Sequence, residues 1–259
     1  MPYFWNKKKD INILFVHIPK TGGTSVEQYF SKISEVPLNI ESLYGFPWFL
    51  DVNVPRPFPN KVFPNSLQHM SYENLLRWSR KYFNIKLFNN TRIKFYTIVR
   101  NPYTRIMSDL FFWGFIDERA TPEDVTVILK KYIACDYDTI GDKVNDYQPP
   151  FHRFHHLLFD NFDNHKTPQW QLVAKNEKEL HAEMIYMRTE TLTEDMINNG
   201  FTDFDYHELT NRIGTINYYE YLNDESIEII NHEYGPDFEL FNYEKKVPYL
   251  KEIIPNLKE

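Results

Sequence analysis

The chain has almost no cysteine. Cys135 stands alone among 259 residues, so no intramolecular disulfide is possible and a reducing compartment is the expected home. Its neighbours Ile133, Ala134 and Asp136 supply no cation, which reads as a structural thiol and not a nucleophile. Positive charge is not in excess either. The formal net charge is −7. A general nucleic-acid binder carries a basic face, so nucleic acid is not an expected partner, although a local basic pocket fits inside an acidic protein. Long hydrophobic runs are missing as well. The first apolar run, residues 11–18, is too short for a signal-peptide core or a bilayer span. A cytoplasmic location without stable membrane insertion is therefore expected, unless the chain is the trimmed catalytic part of a membrane-anchored enzyme. No internal repeat and no low-complexity linker divides the sequence. One α/β domain over residues 1–259 is the economical reading.

What is present is an ordinary globular balance, 42% hydrophobic and 25% charged. Aromatics are abundant at 17%; composition bias explains this more simply than a stacking surface, since Asn, Ile, Lys and Tyr are also frequent. Residues 11–18 (INILFVHI) form a near-continuous apolar run that suits a buried parallel strand. Pro19 ends it, Gly22 and Gly23 turn the chain, and residues 24–31 read as a helix. Residues 95–99 (FYTIV) predict a second buried strand, and Asn101-Pro102 opens a helix to about Phe112. Thr121-Pro122-Glu123-Asp124 starts another helix that reaches Ala134. Residues 71–83 read as a helix, residues 184–187 as a third strand, and residues 192–199 as a helix ending at Gly200. A last helix over residues 224–234 is expected to stop at Gly235-Pro236. Two stretches differ in texture. Residues 34–67 mix prolines with aromatics such as Tyr44, Trp48 and Phe58, as binding loops or lids do. Residues 136–170 are polar and rich in Asp and His. Both are expected to shape an acceptor site.

The loop at residues 17–25 (HIPKTGGTS) lies between a strand's end and a helix's start. The first N–H groups of a helix lack intrahelical partners and its dipole favours negative charge there. Gly22 and Gly23 let the backbone approach an anion, Lys20 adds a full positive charge, and Thr21, Thr24 and Ser25 add hydroxyl donors. The loop is expected to wrap a phosphate or sulfate. It is not a Walker A motif, where Lys follows the second Gly and directly precedes Ser or Thr. Here Lys20 precedes both glycines, which weakens an ATP-hydrolysing or kinase reading. A second element, residues 100–108 (RNPYTRIMS), follows the strand at 95–99. The Arg100 guanidinium can fork onto phosphate oxygens and the Ser108 hydroxyl can donate to the same group.

PKTGGTS after one strand and Val-Arg-Asn-Pro-x-x-Arg-x-x-Ser after a later one together resemble the sulfotransferases that use 3′-phosphoadenosine-5′-phosphosulfate (PAPS). The likeness is to the branch containing carbohydrate O-sulfotransferases and bacterial and viral relatives. It continues through His69 in Gln-His-Met-Ser-Tyr-Glu, through Arg188-Thr189-Glu190-Thr191-Leu192 with Glu194-Asp195, and through residues 234–243 (YGPDFELFNY). Thr189 departs from the usual aromatic, Leu110 stands where relatives often have Tyr, and residues 217–222 lack a usual Ser- and Lys-containing run.

The resemblance implies a P-loop-like three-layer α/β fold with a mainly parallel sheet flanked by helices. It implies that residues 17–25 bind the 5′-phosphosulfate and that Arg100 and Ser108 bind the 3′-phosphate. It implies in-line sulfuryl transfer to a hydroxyl-bearing acceptor, a glycan or small molecule, with 3′-phosphoadenosine 5′-phosphate as the product. Lys20 would steady the bridging oxygen as charge builds there, and no metal is expected. His69 is the first candidate for the base, since imidazole accepts a proton near neutrality. Glu27 is the second, one turn into the first helix. Glu73 could orient the His69 ring from four residues on, and His17 reads as a packing or loop-orienting residue. His152, His155 and His156 could offer metal ligands, but no Cys or carboxylate at ligand spacing completes a site. A catalytically inactive protein that binds nucleotide or glycan is the alternative reading.

Overall fold

A computed structural model describes residues 3–38, 69, 71–73, 93–134, 165–205 and 216–248. In chain order the elements are β1 (Tyr3–Asn6), β2 (Ile11–Val16), α1 (Gly23–Ser34), β3 (Lys94–Val99), α2 (Pro102–Phe112) and α3 (Pro122–Ile133). Then follow α4 (Gln169–Val173), β4 (Ala174–Asn176), β5 (Glu179–Leu180), β6 (Met184–Arg188), α5 (Leu192–Asn198), α6 (Asp224–Glu233) and α7 (Gly235–Leu240). They divide between two compact units, Met1–Arg100 with Gln169–Arg212 and Asn101–Pro168 with Ile213–Glu259.

The first unit is built on a four-stranded sheet in the order β1-β2-β3-β6. β2, β3 and β6 are parallel, and β1 runs antiparallel at the edge. The period of two along each strand separates the faces. Phe4, Ile13, Phe15, Tyr96, Ile98 and Met187 form one core face, closed by Val26, Tyr29 and Phe30 of α1 and Leu192 and Met196 of α5. Phe95 belongs to the other face, where the Tyr72 ring meets it edge-on at 5.2 Å. This is the mainly parallel, helix-flanked α/β sheet that the sequence implies. The edge strand β1 is an addition that the polar first residues conceal.

The second unit is helical. Tyr103, Ile106, Met107 and Leu110 of α2 pack with Val125, Ile128, Leu129 and Tyr132 of α3, and with Ile230, Tyr234 and Phe238. Leu110, one of the departures from the family pattern, is fully buried in this core. The helix starts follow the sequence closely. Asn101 caps α2 by accepting from the Tyr103 N–H at 3.0 Å, with Pro102 in the first turn. Thr121 and Asp124 form a reciprocal capping box at α3.

Three boundaries differ from expectation. β2 stops at Val16, so His17 and Ile18 already belong to the loop. α1 is longer than expected at its C-terminal end, reaching Ser34. α6 ends at Glu233, as a stop at Gly235-Pro236 implies, but that pair also opens a further helix: α7 starts at Gly235, with Pro236 in a first turn where a missing N–H costs nothing. Of the helix expected over residues 71–83, only its start falls among the described residues. Cys135, His152, His155, His156 and most of residues 34–67 and 136–170 lie outside them. No described helix is long and apolar enough to cross a membrane.

Candidate active site

The three parallel strands end side by side. Val16 of β2 lies opposite Thr97 of β3, and Val99 of β3 lies opposite Arg188 of β6. Ligand sites in open α/β sheets form outside such carboxyl ends. Here the ends deliver the loop after β2, Arg100 after β3 and Thr189 after β6 to one edge.

The loop's carbonyls accept hydrogen bonds from within the loop and from the two neighbouring strand ends. Thr21 Oγ1 donates to the Ile18 carbonyl at 2.8 Å. Arg100 Nη1 donates to the Lys20 carbonyl at 3.0 Å. Thr189 Oγ1 donates to the Thr21 carbonyl at 2.7 Å, with the Val99 carbonyl at 3.2 Å as a longer alternative. The Ser25 N–H donates to the Gly22 carbonyl at 3.2 Å. In a trans peptide the C=O and the next N–H point opposite ways. The N–H groups of Thr21, Gly22 and Gly23 are thereby turned away from these donors, at the head of α1. Lys20 and Gly22 have left-handed backbones, φ 65° and 86°, the kind of turn that can bring successive amides to one side. The arrangement can take up a phosphate or sulfate group with backbone donors, the dipole of α1 and the Lys20 charge.

Gly23 has a different reason to be glycine. Its φ is ordinary, but a Cβ built there would lie 2.3 Å from Cδ2 and 2.4 Å from Nε2 of His17. The His17 imidazole thus lies flush against the first residue of α1. It is buried, and its Nδ1 is 2.7 Å from Oε1 of Glu27. Glu27 is itself only 1% exposed. The two residues lock the strand end to the helix.

His69 meets this lock. Its ring stands edge-on to the His17 ring at a centroid distance of 5.1 Å, with planes at 87°. The imidazole of His69 is partly exposed. Glu73 does not face His69. Its carboxylate is 3.5 Å from Nε2 of His181, which corrects the expectation that it orients His69.

Two residues escaped the sequence reading. Gln169, fully buried, clasps the Arg100 backbone with both ends of its amide: Oε1 accepts from the Arg100 N–H and Nε2 donates to the Arg100 carbonyl, each at 2.8 Å. It lies at the end of a stretch without readable periodicity. Thr189 was visible only as a departure from an aromatic. The neighbouring Asp195 fixes it indirectly, since Oδ2 accepts from the Arg188 N–H at 2.7 Å and from Thr191 Oγ1 at 3.0 Å.

In the second unit Ser108 lies partly exposed on α2. Arg105, from the same motif, is buried and donates to the His165 carbonyl at 2.5 Å. Asp109 is buried between His165 Nδ1, at 2.7 Å, and the Tyr132 hydroxyl. Burial alone would raise its carboxyl, but His165, Tyr132 and Arg105 hold it below the usual carboxylate range. The C-terminal motif is structural in the same way. Tyr234, Asp237, Phe238 and Phe241 are buried, and the Tyr234 hydroxyl donates to the Lys166 carbonyl at 2.9 Å. Among the described residues no group of three or more His, Cys, Asp or Glu side chains is arranged to hold a metal ion.

A mainly parallel α/β sheet flanked by helices thus carries a glycine-turned loop at its carboxyl edge, directly ahead of α1. The family model described as the sulfotransferase family matches residues 2–244. The chain belongs to that family and is a sulfotransferase by descent. No curated protein and no solved structure matches it significantly.

Proposed function

We propose that the protein transfers a sulfuryl group from PAPS to a hydroxyl-bearing acceptor, with carbohydrate as the first class to test. One observation carries the reading. The carbonyls of Lys20 and Thr21 accept from Arg100 and Thr189, both outside the loop, which turns the N–H groups of Thr21 and Gly22 to the opposite side. Residues 17–25, through Lys20, Thr21, Gly22, Gly23, Thr24 and Ser25, hold the 5′-phosphosulfate. Arg100 and Ser108 take the 3′-phosphate. PAPS supplies the sulfuryl group and leaves as 3′-phosphoadenosine 5′-phosphate. The acceptor oxygen forms the new S–O bond while the bond from sulfur to the bridging oxygen breaks, and its electron pair stays on that oxygen. Lys20 and the loop amides stabilise the charge that gathers there.

His69 receives the acceptor's proton in this reading. Glu27, the other candidate, is engaged by His17 and almost wholly buried. A carboxyl so placed serves the ring beside it and not a substrate hydroxyl. His17, braced by Glu27, gives His69 a fixed wall. Both units belong to one sulfotransferase domain, with residues 34–67 and 136–170 shaping the acceptor site.

The test is an acceptor screen with PAPS labelled in the sulfuryl group, run beside calorimetry with 3′-phosphoadenosine 5′-phosphate and ATP. Labelled product on a hydroxyl compound, and a preference for the 3′-phosphorylated nucleotide, are expected. Tight binding without turnover on any acceptor would mark a nucleotide-binding relative without activity. Lys20→Ala should lower kcat strongly and donor affinity less. Arg100→Ala should weaken the 3′-phosphorylated nucleotide more than one lacking that phosphate; equal loss for both removes Arg100 from the 3′-phosphate.

A further inference from the structure

The short segment that carries His69 is fastened at its far end by a cluster outside the donor loop. Tyr72 is buried. Its ring meets Phe95 of β3 at 5.2 Å and His181 at 4.6 Å, both edge-on. Its hydroxyl donates to Oε1 of Glu183 at 2.9 Å. Burial first, and then the Glu183 carboxylate, push that hydroxyl above the phenol range, so it stays a donor.

His181 is the centre of the cluster. It is 4% exposed, and its Nε2 has no hydrogen bond among the described residues. Yet both ring nitrogens face a carboxylate: Nε2 is 3.5 Å from Glu73 and Nδ1 is 3.7 Å from Glu183. The backbone of His181 is held too, since its N–H donates to the Tyr186 hydroxyl at 3.0 Å, which donates to the Val173 carbonyl at 2.6 Å. His181 is therefore anchored to the sheet through β6 and α4, and reaches out to Glu73.

We propose that His181, with Glu183, is a latch that grips Tyr72 and Glu73 and so holds the His69 ring against His17. His181 is a positioning residue. It lies outside the donor loop and reaches His69 only through the segment it grips. For turnover the inference rests on His69 being the base. For the placement of the ring it does not.

The experiment separates the two. Glu73→Gln changes an exposed carboxylate and spares the core; His181→Leu removes both ring nitrogens. The imidazole proton resonances of the full chain are recorded by NMR, with His69 assigned from its loss in His69→Gln. The His17 ring standing edge-on gives the His69 protons a ring-current shift that depends on the fit. Both variants should move the His69 resonance. In the labelled-PAPS assay His181→Leu should lower kcat by roughly 10- to 100-fold, the scale of a displaced catalytic group. KM for PAPS should hold, and His181→Leu should add nothing once His69 is already replaced by alanine. A His69 resonance unmoved in Glu73→Gln and in any folded His181 variant overturns the latch. A moved resonance with unchanged kcat upholds the latch and removes His69 as the base.

Discussion

Substituting Gly23 by alanine sets two effects of opposite sign against each other. By helix propensity alone, alanine in place of glycine stabilises a helical position by about 1 kcal/mol, and the φ of Gly23 does not forbid it. The new methyl carbon, however, would sit 2.3 Å from the His17 ring. That ring cannot swing aside freely, because it is buried and bonded to Glu27 at 2.7 Å. Forcing the ring to shift costs about 1–3 kcal/mol as overpacking. Loosening its hydrogen bond to a buried carboxyl costs about 1–3 kcal/mol more. The net expectation is a loss of about 3 kcal/mol, read from urea denaturation midpoints at constant slope. The control is the same substitution in a His17→Ala background. There the clash is gone, and Gly23→Ala should be neutral or stabilising by up to about 1 kcal/mol. Affinity for 3′-phosphoadenosine 5′-phosphate should fall in the single variant, since the head of α1 moves with residue 23. A Gly23→Ala protein as stable as the parent, with His17 present, would falsify the close approach and the lock between strand end and helix.

Thr189→Val keeps the shape and removes the donor to the Thr21 carbonyl; it should cost about 1–2 kcal/mol and weaken nucleotide binding, while Thr189→Ser restores both in calorimetry. Gln169→Leu leaves the Arg100 N–H and carbonyl without their partners and should destabilise by about 2 kcal/mol in urea denaturation. Asp109 is held below the usual carboxylate range when folded, so unfolding under acid takes up a proton. Its stabilisation is complete above the unfolded pKa of about 3.9 and is lost as pH falls through the lower folded value. Asp109→Asn should therefore lower the melting temperature at neutral pH and flatten its fall in acid. An unchanged acid slope assigns that dependence to other carboxyls.

The sequence carries the fold wherever local chemistry and burial agree. Residues 11–16 and 95–99 are apolar on both faces because both faces of the sheet are covered. The starts of α2 and α3 are readable because Asn101 and Thr121 cap them through bonds within three residues. The loop at residues 17–25 is legible for the same reason: strand, turn and helix are contiguous. What fails to show is whatever acts across long separations. Gln169 is 69 residues from Arg100 and Thr189 is 168 from Thr21. No local pattern marks a side chain that bonds a distant backbone group. Glu27 shows the same limit: its spacing admits a catalytic base, and nothing local announces its burial against His17.

A motif in a sequence is a run of letters, and its members need not share a task. In Arg100–Ser108 the side chain of Arg100 bonds the Lys20 carbonyl, Asn101 caps a helix, Pro102 begins it, and Arg105 is buried under the His165 carbonyl. Of these bonds, the one from Arg100 is made to the donor loop. The Lys20 carbonyl that it holds belongs to the one non-glycine residue of the loop with a left-handed backbone, a conformation that costs about 1–2 kcal/mol and needs outside support. Arg100 thus has a structural duty besides the proposed phosphate binding: it braces the strained residue that carries the proposed charge stabiliser. Lysine at position 100 keeps the charge but not the planar fork that can bond a carbonyl and an anion together. Arg100→Lys should consequently lower kcat as well as nucleotide affinity. A variant that lost affinity alone, with kcat intact at saturating PAPS, would separate the two duties and return Arg100 to phosphate binding only.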